Sequence, residues 1–284
     1  MNQQNLFAVA NDDNNIMSFT MREAHRMWPS EEHRGRCIKQ VGRFVDFRDY
    51  GAKPISHFLP RDIHEFADQL AADGSSPATV NRYLAAISKV FNHAVDNQLI
   101  NQAPKLKFNR EDNHRIRYFS IEEQDKLISY FEHIDMQWMR DFVVLSLKTG
   151  VRKGEIVALC DGKVAVSDDG QWLLLSADVT KTRKGRNVPL NHLARDAALR
   201  LQGSGIYSRR RFEMAWAMAK REVFGGDPDA VFHVCRHTAA TTLVNDLAVP
   251  TVMVAELLGH ASLSTTARYA HAKSDALLDM VGRI

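Results

Sequence analysis

Residues 101–117 read NQAPKLKFNREDNHRIR, a proline and a run of mixed charge with no hydrophobic period, set between two long stretches that do have one. This break constrains the fold more than any other feature of the 284-residue chain. It predicts two folding units joined by a linker, because each flanking stretch carries enough apolar residues for a core of its own. The boundaries expected are a loose polar tail over residues 1–18, rich in Asn and Asp, a helical domain over 19–100, a basic linker over 101–118 and a second domain over 119–284.

The first domain reads as all helix. Ile38, Val41, Phe44, Val45 and Phe47 recur at helical spacing in a segment expected to run from Glu31 to Tyr50 and to stop at Gly51. Ile63, Phe66 and Leu70 share one face between Pro60 and Ala72. Ser76 followed by Pro77 is a helix start, opening a run through Val80, Leu84, Ile87, Phe91 and Val95. In the second domain Ser120 and Glu123 form a capping box ahead of Leu127, Ile128 and Phe131, and a further amphipathic segment from Trp138 to Lys148 ends at Gly150. Residues 163–190 change character, with short strand-like runs at Trp172 and Asn187 around Asp-Asp-Gly and Arg-Lys-Gly turns, and predict a small sheet. Helices then resume at Leu193. The fold class expected is mainly α, a helical bundle followed by a mostly helical domain with a small antiparallel sheet.

Composition excludes several classes. An apolar content of 45% and a charged content of 25% are ordinary for a globular chain, and no apolar run approaches the roughly 18 residues that a membrane span needs. The amino end has no basic segment ahead of an apolar core, so a cytoplasmic protein is expected. Cys37, Cys160 and Cys235 are too scattered for a disulfide framework or a thiolate cluster. Net charge is only +3, but eleven Lys or Arg against four acids between Asp178 and Glu222 give a local basic excess suited to phosphates.

Five motifs follow one another in the second domain: Thr149-Gly-Val-Arg152-Lys-Gly-Glu155; Thr180-Lys181-Thr-Arg-Lys-Gly-Arg-Asn-Val-Pro-Leu190; His233-Val-Cys-Arg236-His-Thr; Leu257-Leu-Gly-His260; and Thr265-Thr-Ala-Arg-Tyr269. In order and spacing they resemble the tyrosine recombinase, or phage integrase, family of DNA-breaking and rejoining enzymes. Each residue alone has an ordinary explanation: Arg152 as a solvated helix start, Lys181 as part of a basic hairpin, the histidines as half-buried imidazoles, Tyr269 as a core-edge residue. Their joint occurrence outweighs those readings.

The resemblance implies a site in which Arg152 and Arg236 clamp the non-bridging oxygens of a phosphodiester, a task for planar, permanently charged guanidinium groups. His233 and His260 would donate to the same phosphate or manage protons, Lys181 would protonate the departing 5′-oxygen, and Tyr269 would attack to form a 3′-phosphotyrosine. That link conserves the phosphoester, so rejoining needs neither ATP nor metal, and no cofactor is expected. A competing metal reading of His233 and His237, at i and i+4 with Cys235 between them, is weaker, since the zincin Glu is missing.

The resemblance also makes the helical domain a core-binding domain, with Arg36, Lys39, Arg43, Arg82 and Lys89 as candidate DNA contacts. Lys105 and Lys107 of the linker and Arg183, Lys184 and Arg186 of the hairpin join them. The partners implied are double-stranded recombination sites, a homotetramer on DNA and in some systems an accessory DNA-bending protein, on a mobile element. The organisation expected is Xer-like, without an arm-binding domain ahead of the helical one. Leu277, Leu278 and Val281 are expected to pack either on a neighbouring protomer or on the chain's own core. Two other functions stay open: a regulator of this fold that binds without recombining, and a type IB topoisomerase-like relaxing enzyme.

Overall fold

The computed structural model describes residues 15–111, 117–180 and 182–269, and it divides into two compact units, Met1–Asn113 and His114–Ile284. Among the described residues no helix is long and apolar enough to cross a membrane.

The first unit holds four helices among its described residues: α1 (Ile16–Met27), α2 (Glu31–Asp46), α3 (Pro60–Ala72) and α4 (Pro77–Asp96). Ser76 Oγ accepts from the Thr79 N–H and Pro77 stands where no N–H is needed, so the start of α4 is where the local chemistry puts it. Phe44, Phe58, Phe66 and Phe91 interlock with Val41, Ile63, Leu84 and Ile87 in one core, each fully buried side chain of this size contributing about 1.5–3 kcal/mol.

Three expectations change here. Of the predicted tail, residues 1–14 lie outside the described residues, while Asn15 caps α1 through the Ser18 N–H at 2.8 Å and Ile16 and Met17 are buried. α2 stops at Asp46 rather than near Tyr50: Asp49 takes the left-handed conformation (φ 52°), and Gly51 falls inside a short 3-10 turn. Residues 101–111, expected as linker, run extended along the first unit. Asn81 holds them as a neighbouring strand would, donating to the Asn109 carbonyl at 2.9 Å and accepting from its N–H at 2.8 Å, while Ile100, Ala103 and Leu106 pack on the core.

The second unit is built around α6 (Gln137–Thr149), which follows α5 (Ile121–His133) and packs against α5, α7 (Lys153–Cys160), α8 (His192–Leu201) and α10 (His233–Thr241). The capping box at Ser120 and Glu123 is closed in both directions. α6 is buried nearly all round rather than amphipathic. Its one acid, Asp141, 1% exposed, is accommodated because Arg200 grips both oxygens at 2.8 and 2.7 Å. The sheet is antiparallel in the order β1 (Ala165–Val166), β2 (Trp172–Leu175), β3 (Arg186–Pro189). Leu173, Leu175 and Val188 point to the core, whereas Trp172 and Leu174 face out. α9 (Arg209–Phe224), a π turn at Thr242–Asp246, α11 (Thr251–Leu258) and α12 (Leu263–Ala267) complete the unit. The mainly helical fold with a small antiparallel sheet is as the sequence predicts.

Candidate active site

Two glycine-terminated helix ends meet in the second unit. α6 ends at Gly150 (φ 69°), where a Cβ would stand 2.3 Å from Leu258 Cδ2; α11 ends at Gly259 (φ 65°), where one would press on the Arg186 guanidinium. Both conformation and space therefore call for glycine. The carbonyls left free at these ends collect arginines. Arg236 Nη1 donates to Gly150 O at 2.6 Å and its Nη2 to Leu258 O at 2.7 Å. Arg152 Nη2 donates to the next carbonyl, Gly259 O, at 3.1 Å. Two guanidinium groups thus hang from successive carbonyls of one helix C-terminus, the end that favours positive charge.

Glu155 organises the second side. Its carboxylate, 2% exposed, accepts from the Arg152 backbone N–H at 2.8 Å and from the Arg152 side chain at 3.1 Å. Arg186 grips it in bidentate fashion at 2.9 and 2.8 Å and sends Nε to Leu257 O at 2.9 Å. Burial pushes the Glu155 carboxyl up, but the hydrogen bonds and charge of Arg186, then those of Arg152, outweigh it and hold it below the usual range. Arg186, read from the sequence as a candidate DNA contact, thus serves Glu155 and a helix-end carbonyl within this unit. Its side chain is 9% exposed and Nε, Nη1 and Nη2 are all engaged within the unit.

Among the described residues, the charges of this cluster do not balance. Arg152, Arg186 and Arg236 surround one carboxylate, and Arg236 is 2% exposed. Burial, then the neighbouring Arg152 charge, lower the Arg236 pKa to about 9, so it is still cationic at neutral pH. A buried excess of positive charge is unfavourable until an anion completes it.

His260 follows Gly259 directly, with Nδ1 2.7 Å from Thr266 Oγ1 and its ring parallel to that of Tyr269, the centroids 6.3 Å apart. Burial first, then Arg236, Arg152 and Arg186, lower its pKa to about 4, leaving it neutral at pH 7. Tyr269, 3% exposed, packs among Ala240, Val254 and Leu258, and its carbonyl accepts from Asn245 at 2.9 Å. Its hydroxyl lies 2.7 Å from His237 Nδ1. Burial raises the phenol pKa against the opposing pull of Arg236, Arg268 and Arg152, so the proton stays on oxygen. His233 is exposed at the start of α10, its ring edge-on to His237 at 4.6 Å.

Arg152, Arg236, His260 and Tyr269 are therefore gathered at the meeting of α6, α7, α10 and α11, with His233 beside His237. Lys181 lies outside the described residues, in the segment between β2 and β3. Arg183 and Lys184 of that segment are exposed, as are Arg36, Lys39, Arg43, Arg82, Lys89, Lys105 and Lys107 in the first unit. Arg43 is engaged, with Tyr83 Oη at 3.3 Å and Asp73 at 3.2 Å. The residue that sequence reasoning left unused is His237. In the sequence its spacing from His233 offers only a weak metal signature, and no group of His, Cys, Asp and Glu able to hold a metal ion occurs among the described residues.

The sequence profile of the Phage integrase family matches residues 117–275, more than half of the chain. The chain belongs to the phage integrase family. Tyrosine recombinase XerC of Staphylococcus epidermidis is 25% identical over 258 residues, covering 83% of this chain and 84% of the relative. That of Staphylococcus carnosus is 24% identical over the same length. Among solved structures, the Tn1549 transposon integrase in complex with a circular intermediate DNA superposes with a TM-score of 0.76 at 17% identity, covering 95% of this chain and all of that one (100%). A lambda integrase fragment bound as a dimer to a core site gives 0.66 at 15% identity, with 90% and 95% covered. At these identities the structural likeness establishes a shared fold for this phage integrase family member.

Proposed function

We propose that this protein is a site-specific recombinase that cuts and rejoins duplex DNA through a 3′-phosphotyrosine on Tyr269, without ATP or metal. The observation that carries the reading is the cluster of three guanidinium groups around the Glu155 carboxylate, set beside a buried phenol. A phosphodiester monoanion is the group that such a cluster complements.

Arg152 and Arg236 would take its two non-bridging oxygens and stabilise the charge that develops as phosphorus becomes five-coordinate, with the helix-end carbonyls fixing both guanidinium groups beforehand. His260, neutral and oriented by Thr266, and His233 at the open edge would donate to the same oxygens. Lys181 would supply the proton to the departing 5′-oxygen. The reverse attack by a 5′-hydroxyl from a second duplex regenerates the phenol and leaves an exchanged strand. Strand exchange between two duplexes makes a tetramer on DNA the working assembly, with the first unit as a core-binding domain using Arg36, Lys39, Arg82 and Lys89, and an accessory DNA-bending protein as a further partner.

The test uses labelled duplexes from the DNA flanking the protein's own gene, each nicked near a candidate crossover so that cleavage cannot reverse. The parent protein should give a denaturant-resistant protein–DNA adduct and the Tyr269→Phe variant none, with binding kept in both. Sequence-specific binding without adduct would favour a regulator, and adduct formation without sequence preference a relaxing enzyme.

A further inference from the structure

Tyr269 needs an acceptor for its proton, and neither His260 nor the two arginines offers one in this arrangement. A phenol with a pKa of about 10 or higher is almost fully protonated at pH 7, and burial raises that of Tyr269 further. His260 lies parallel to the phenol ring with Nδ1 turned to Thr266, and Arg236 and Arg152 are permanent cations whose hydrogen atoms point at carbonyl oxygens. His237 touches the reacting atom itself: its Nδ1 is 2.7 Å from Tyr269 Oη. Helical geometry explains the placement, since position 237 follows Arg236 on α10 and the π turn after that helix brings Asn245 round to fix the Tyr269 carbonyl.

We infer that His237 is a further catalytic residue, the base that accepts the Tyr269 proton as its oxygen attacks phosphorus. The inference rests on Tyr269 being the nucleophile. In the step, the Oη–H bond breaks and its proton passes to Nδ1, the Oη–P bond forms, and the P–O5′ bond breaks with the leaving oxygen protonated by Lys181. Rejoining runs the same transfers backwards, the imidazolium returning its proton to Oη.

The groups facing His237 explain why this base is silent without substrate. Burial, then His233, Arg236, Arg268 and His260, lower its pKa to about 4, so it is neutral with Nδ1 able to accept but is a weak base. A phosphate anion seated between Arg152 and Arg236 offsets the charge of Arg236 and raises the basicity of the imidazole when there is something to attack. Proton acceptance is in this way tied to occupancy of the clamp.

The test compares single-turnover cleavage of the nicked duplex by the full-length parent, Tyr269→Phe, His237→Asn and His237→Ala, with folding checked by circular dichroism and DNA affinity by gel shift. Asn places an oxygen near the position of Nδ1, so it keeps a hydrogen-bond acceptor for the phenol but cannot take its proton. A base should be worth about 10²- to 10⁴-fold. Both His237 variants should therefore cleave slower by that factor with affinity unchanged. Their rates should also climb about tenfold per pH unit between pH 6 and 9, as solvent ionises the phenol, whereas the parent stays flat. Cleavage by His237→Asn within about threefold of the parent, or faster, would overturn the inference while leaving the recombinase reading intact. No adduct from the parent either would overturn both.

Discussion

Arg186 separates a structural role from a DNA-contact role by more than an order of magnitude in two independent measurements. Removing it by Arg186→Ala leaves Glu155, 2% exposed, with one guanidinium partner in place of two, deletes a bidentate pair at 2.9 and 2.8 Å and orphans the Leu257 carbonyl. Breaking a buried pair from one side costs about 3–5 kcal/mol. In a unit of this size each kcal/mol is worth roughly 2–4 °C, so the second unit should melt about 6–20 °C lower. Arg186→Lys keeps the charge but loses the fork and should retain less than half of that stability. Differential scanning calorimetry or urea unfolding reads the effect directly. A surface phosphate contact would behave otherwise: stability would hold, and the slope of log affinity against log salt would fall by about 0.9. Unchanged melting of Arg186→Ala together with that loss of slope would refute the buried-strut reasoning and restore the role expected from sequence.

Three further outcomes follow from the same geometry. Gly150→Ala should destabilise by about 2–4 kcal/mol, because the residue sits at φ 69° and the new methyl carbon meets Leu258 Cδ2 at 2.3 Å; a Leu258→Ala second change that removes the clash should recover part of the loss in thermal melts. His237 and His260 have folded pKa values of about 4 against roughly 6.5 when unfolded, so the unfolded chain binds protons first as pH falls. Stability is therefore full above pH 6.5 and declines towards pH 4, by about 2 kcal/mol per histidine after solvent screening, and a melting temperature level across that window would contradict the burial of these rings. Lys181→Ala should slow cleavage of an ordinary strand by about 10²- to 10⁴-fold yet spare a strand whose bridging 5′-oxygen is replaced by sulfur, since a thiolate departs without a proton; equal losses on both substrates would remove Lys181 from the leaving-group role.

The parts of the fold legible in sequence are those fixed by local chemistry. Ser76-Pro77, the Ser120 and Glu123 box and Gly150 announce helix ends because their hydrogen bonds close within a few residues. α1 escaped because its buried face includes polar residues: Thr20 bonds its own helix, and Glu23 is satisfied by Arg26 at 2.8 Å and by His93, seventy residues on, at 3.3 Å. That dilutes the apolar period below recognition. The Gly51 signal failed because Asp49 had already turned the chain. In the site, the family-like order of motifs singles out Arg152, Arg236, His260 and Tyr269, which the structure brings together, but not what holds them. Arg186 reads as one more charge in a basic run until its partner Glu155, thirty-one positions earlier, is seen in space. His237 reads as a neighbour of His233 until Tyr269, thirty-two positions later, is found against it.

The central claim, that a phenol in this cluster becomes covalently joined to DNA, is tested most directly by digesting the trapped adduct with trypsin and sequencing the nucleotide-bearing peptide by mass spectrometry. Cleavage after Arg268 should release a peptide that begins at Tyr269 and carries the 3′-phosphodiester on that first residue. Attachment to any other side chain, or an adduct that persists in Tyr269→Phe, would contradict the account.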